Sequence, residues 1–282
     1  MKRRKDYLAV ITIILLSISS IVGVLSMNFN YAHDYVNQYG QQVKLFGYGI
    51  YAWDTYFKAP IAIGTDFCVL FVFVPMFLFT YIKYRNQNKQ ITELQLISVY
   101  AVSTYYGASI AFGAVYNQLV LIYILLFSCS LFGMFMHLTK LEWLKCAPLT
   151  VGVKWFLIIS GIALIVAWLP DIIPTLITGE TLPLIGVYTT EITYVLDMGI
   201  ISPLCFVTFY LMQKKNSLGT ILFAILLKAC MIVGIMMIPQ TVCQILSGID
   251  IAFPALATKS LSFVLLGGFA FYFNLKMYQE IS

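Results

Sequence analysis

The chain is 282 residues long, 61% hydrophobic and only 10% charged, where soluble domains run at roughly 45–50% apolar and about 25% charged. No hydrophilic block is long enough for a soluble domain, so residues 1–282 read as a single membrane-embedded domain. The net charge of +5 fits basic residues marking the cytoplasmic face of a membrane rather than a nucleic-acid partner.

A helix needs about 20 apolar residues to cross a hydrocarbon core of ~30 Å. Eight segments have that length, at about 7–26, 64–84, 96–115, 118–138, 155–175, 192–212, 218–240 and 252–273. The expected fold is an all-α bundle of about eight transmembrane helices. The first segment follows MKRRKD. Its apolar run exceeds the roughly 7–15 residues of a secretory signal core, so it reads as an uncleaved helix. Residues 27–63 form an extracytoplasmic segment rich in tyrosine, with Trp53, His33, Asp34 and Asp54. On the third segment Ser103, Gly107 and Ala111 recur every four residues, and Gly267–Gly268 interrupt the eighth. Both are patterns that let helices approach closely in lipid. Residues 170–191, between the fifth and sixth helices, are too apolar for a solvated loop and too broken by Pro and Gly for a span. They read as an extracytoplasmic apolar cap or as a loop lying along the interface.

Basic residues set the orientation. With a cytoplasmic N-terminus, Lys2, Arg3, Arg4, Lys5, Lys83, Arg85, Lys89, Lys140, Lys145, Lys154, Lys214, Lys215 and Lys276 fall inside, 13 of the 17. Only Lys44 and Lys58 fall outside. The bias places both termini in the cytoplasm and the protein in a plasma membrane as a multi-pass chain.

An ionised residue at mid-helix costs about 2.5–3.5 kcal/mol on insertion scales, so each one present needs a reason. Helical side chains lean toward the helix N-terminus. That directs Lys228, on the seventh segment, inward as a snorkelling lysine without an acidic neighbour on its own helix. Asp66, Asp197 and Lys259 lean outward, because their helices begin outside. Asp171 ends the fifth helix, while Glu191, Tyr194 and Asp197 share a stripe with Thr190 and Thr193. The expected ligand or ion pocket therefore contains Asp66, Asp171, Glu191, Tyr194, Asp197 and Lys259, with Asp197 the leading counter-ion for Lys259. An ion pair that only fixes helix register is the competing reading.

No Walker loop, HExxH or CxxC is present, and His33 and His137 fall on opposite sides. No cofactor, metal centre or catalytic set is expected. The six cysteines are expected as free thiols; Cys68 and Cys243, both near the outer surface, are the one pair for which a disulfide is the alternative. GTDF at 64–67, WLPDIIP at 168–174 and LDMGIISPL at 196–204 resemble a group of bacterial polytopic integral membrane proteins with no assigned activity. The resemblance supplies no substrate, but its stretches carry Asp66, Asp171 and Asp197.

Three functional readings stay open. The leading one is a carrier or binding protein for a small solute or ion, with 27–63 as a lid. The others are a structural or regulatory subunit binding another protein through 27–63, and a membrane-embedded enzyme acting on a lipid-linked substrate.

Overall fold

The computed structural model describes residues 5–87, 89–141, 144–182, 184–250 and 260–281. Its helices are α1 (Tyr7–Leu25), α2 (Lys58–Asn86), α3 (Gln90–Gly113), α4 (Val120–Leu138), α5 (Val151–Thr178), α6 (Ile192–Gln213), α7 (Ser217–Leu246) and α8 (Ser262–Ile281). The first seven are long and apolar enough to cross a membrane. The first part of the expected eighth span, with Lys259, lies outside the described residues. The described part, α8, carries Asn274, Lys276, Gln279 and Glu280 in its last turns and is less apolar.

Local chemistry explains where the helices start and bend. Asp6 caps α1 by accepting from the Ala9 N–H at 3.2 Å, and Thr150 caps α5 through the Val153 N–H. Asn216 caps α7, and Gly179 ends α5 in the left-handed conformation at φ 73°. Complete π turns lie at Val69–Phe73 in α2 and Asp197–Ile201 in α6. Each lies just before a proline, Pro75 or Pro203. Proline cannot donate to the carbonyl four residues back and clashes with it, and the wider turn absorbs that conflict.

Successive helices run antiparallel. One end of the bundle holds the start of α1, and the opposite end holds a β-hairpin, β1 (His33–Val36) paired with β2 (Gln42–Leu45). Asn37 builds the hairpin loop, its Oδ1 accepting from the N–H groups of Tyr39 and Gln41 at 3.0 and 2.8 Å. A lone hairpin is marginal in water, and this one is docked. Asn37 donates to the Gly186 carbonyl at 2.7 Å, Tyr188 donates to Asp54 at 2.6 Å, and Tyr56 donates to the Ser247 carbonyl at 2.7 Å. Together the hairpin and residues 179–191 form a cap over that end.

The structure corrects several expectations. Helix α2 begins at Lys58, so residues 58–63 of the 27–63 segment are helical. Helix α5 continues through Pro170, Asp171 and Pro174 to Thr178, leaving only 179–191 as connection. Within 170–191, therefore, the first part is helix. The cysteine expectation stands: all six are free, including Cys68 and Cys243. Of the Gly267–Gly268 pair only Gly267 packs closely: a Cβ on Gly234 of α7 would lie 2.8 Å from the Gly267 Cα, while Gly268 faces open space. Gly107 brings α3 against the Phe127 backbone of α4, as its spacing suggests.

Candidate functional site

Asp197 opens the π turn of α6 and is buried. Its Oδ1 accepts from the Tyr105 hydroxyl on α3 at 2.7 Å, and its Oδ2 accepts from Trp168 Nε1 on α5 at 3.1 Å. A cleft of about 40 Å³ lies beside the carboxylate, walled by Leu164, Ile201, Val233, Phe263 and Leu266. That is enough room for a water or a small head group. Ser160 also lines the cleft. It is 2% exposed, and its hydroxyl has no hydrogen-bond partner among the described residues. Stacking extends the site outward: the Trp168 ring lies 4.8 Å from the Tyr194 ring, and Tyr194 donates to Asp171 at 2.9 Å.

Asp66 belongs elsewhere. It is 2% exposed between α1, α2 and α3, and accepts from the hydroxyls of Tyr51 and Tyr106, the latter at 2.9 Å. A Cβ on Gly23 of α1 would collide with this carboxylate, so glycine is what lets the helices close over it. Tyr105 and Tyr106 are consecutive, so α3 hands one hydroxyl to Asp197 and the next to Asp66. Glu191 sits in the cap, ion-paired with Lys58, whose ammonium lies 3.9 Å from the centre of the Tyr188 ring. Burial pushes the nearby Asp54 carboxyl up to about 7, against the pull of its Tyr188 hydrogen bond and the Lys58 charge.

The six expected pocket residues are thus distributed. Asp171, Tyr194 and Asp197 share one strip, Asp66 and Glu191 have partners of their own, and Lys259 lies outside the described residues. Lys228 is half-buried on α7, with no acid paired to it among the described residues.

A fourth cluster went unrecognised in the sequence. His137, at the end of α4, is 1% exposed; its Nε2 lies 2.8 Å from Asp6 and its Nδ1 is bonded to Glu93 of α3. Both ring nitrogens therefore face carboxylates, an arrangement that an imidazolium would satisfy by donating from each. Tyr100 stacks on the ring and donates to Asp6 at 2.7 Å, and Tyr84 meets the ring edge-on. Burial works against the Asp6 charge, but the His137 and Tyr100 bonds bring its carboxyl below the usual range. The available signal was that Asp6, Glu93 and His137 all fall at the same end of neighbouring spans.

Comparison with protein-family models, curated proteins and solved structures finds no match.

Proposed function

We propose that this protein binds and carries a small solute across a bilayer, with the Asp197 cleft as its binding site. One observation supports this above the others: a buried carboxylate adjoins open space that also receives the unpartnered Ser160 hydroxyl. An unmade hydrogen bond at a buried group costs about 1–3 kcal/mol, which a structural ion pair or a filled core would avoid. The site offers acceptors at Asp197 and an apolar wall, so it suits a solute with a cationic or hydrogen-bond-donating head and an apolar body. The excess of Lys and Arg at the N-terminal end of the bundle supports a cytoplasmic N-terminus and a plasma-membrane location.

The test is titration of the nanodisc-embedded protein with short alkylammonium ions. Saturable binding weakened roughly 10–100-fold by Asp197→Asn, and less by Ser160→Val, is expected from losing a charged and a neutral hydrogen bond. Equal affinity in both variants and wild type overturns the reading.

A second reading, a subunit that binds another protein, draws on the exposed aromatic face of the cap. Tyr35 packs edge-on against Trp53 at 6.4 Å, and both are largely exposed. A stable partner recovered in mild detergent through this face, with no alkylammonium binding at Asp197, favours that reading.

A further inference from the structure

The Asp66 and His137 clusters stand at opposite ends of one seam, where α1, α3 and α4 meet. At the hairpin end the hydrogen bonds have a direction. Tyr106 donates its only hydroxyl proton to Asp66, so the 3.2 Å contact between Tyr106 and Ser19 must be Ser19 donating to the Tyr106 oxygen. At the N-terminal end Tyr100 and His137 converge on Asp6. From Asp6 to Ser19 along α1 is about 20 Å at 1.5 Å per residue.

Three hydroxyls occupy the interval. Thr12 of α1, Ser103 of α3 and Ser130 of α4 are each 0% exposed, and none has a hydrogen-bond partner among the described residues. A buried hydroxyl on a helix ordinarily bonds the carbonyl four residues back, as Ser20, Ser98 and Thr104 do here. These three do not. Their placement is shared as well. Gly133 packs on the Tyr100 ring and Gly107 on the Phe127 backbone, and these two contacts bracket Ser103 and Ser130 across the α3–α4 interface. Thr12 lies in the buried stripe of α1, midway between Asp6 and Ser19. Alanine or valine would fill the same space without three orphaned oxygens.

We propose that this seam is a proton path through the bundle, with water bridging the Thr12, Ser103 and Ser130 hydroxyls between the His137 and Asp66 clusters. The proton leaves His137 for Asp6 as the N–H bond breaks and a carboxyl O–H forms. Water carries it past the three hydroxyls to Ser19. Ser19 then passes its own proton to Tyr106 as Tyr106 passes its proton to Asp66. One bond to hydrogen forms for each that breaks and no electrons are exchanged; His137 is reprotonated from the N-terminal end, Asp66 releases its proton at the hairpin end, and hydroxyl rotation resets the chain. The charged and titratable groups around the ends are Glu93, Tyr84 and Lys140 beside His137, and Tyr51 and Tyr123 beside Asp66. Chains of acids, histidines and hydroxyls of this kind carry protons in membrane proteins.

The experiment uses the full-length protein in liposomes with a trapped pH dye and a valinomycin-imposed potassium potential. Protein-dependent proton influx is expected, falling roughly tenfold or more in His137→Gln and in Asp66→Asn. Should either of those fail to fold, Thr12→Val combined with Ser103→Ala removes two hydroxyls at almost no change in volume, and is expected to cut the flux similarly. Thr208→Val is the control. Thr208 of α6 is equally buried, has no hydrogen-bond partner among the described residues and lies off the seam, so flux should be unchanged. Influx no greater than in protein-free liposomes, or influx that survives the double variant, overturns the proposal.

Discussion

At Asp54 burial outweighs two stabilising neighbours. The carboxyl is raised from 3.8 to about 7, so the folded cap holds a proton that the unfolded chain has already released at neutral pH. The resulting contribution to stability is fully present below about pH 4 and is lost as pH rises through about 7. Thermal unfolding of the purified protein should therefore show a midpoint that falls between about pH 4 and 7 and levels off above, with the slope flattened in Asp54→Asn. An unchanged slope in that variant would show that another group sets the dependence. Asp54 was visible in the sequence only as one acid among polar residues of the 27–63 segment. Its burial depends on Tyr188, which is 134 residues away.

The element that most shapes the candidate site is the π turn of α6. One extra residue in a turn rotates everything before it by about 100° relative to everything after. That rotation lets Asp197 meet both Tyr105 and Trp168 while the remainder of α6 packs on α5, where Ser202 donates to the Gly161 carbonyl at 2.8 Å. Pro203→Ala restores a backbone donor and removes a residue that costs about 3 kcal/mol inside a helix. Relaxation to a regular helix should then weaken alkylammonium binding about as much as Asp197→Asn, with an unfolding temperature held or raised. Undiminished affinity in Pro203→Ala would mean that the turn does not position the carboxylate. LDMGIISPL gave both Asp197 and the proline, yet an α-helix accommodates that string on paper, and the turn emerges only from packing.

For the molecule as a whole, most of the described basic residues fall at the end where the His137 cluster closes α1, α3 and α4, and Lys44 and Lys58 lie at the hairpin end. The proposed orientation predicts that a single cysteine at Gln38, in an otherwise cysteine-free chain, reacts with a membrane-impermeant maleimide on intact cells, and that one at Lys214 does not. Labelling in the reverse pattern would invert the protein.

The sequence by itself determined where apolar helices lie, because in hydrocarbon an unsatisfied backbone group costs several kcal/mol and only a continuous helix avoids it. It also singled out Asp66, Asp171 and Asp197, since a charge among apolar residues is conspicuous without any neighbour in view. Only the tertiary structure decided their partners. Tyr51 and Tyr106 reach Asp66 from 15 and 40 residues away, and Tyr105 and Trp168 reach Asp197 from 92 and 29. It alone brought His137 between Asp6 and Glu93 and left the Thr12, Ser103 and Ser130 hydroxyls buried without partners among the described residues. Periodicity is a local property of each helix, whereas the rotation that turns one helix's polar face toward another is set by close contacts such as Gly23 on Asp66 and Gly107 on Phe127.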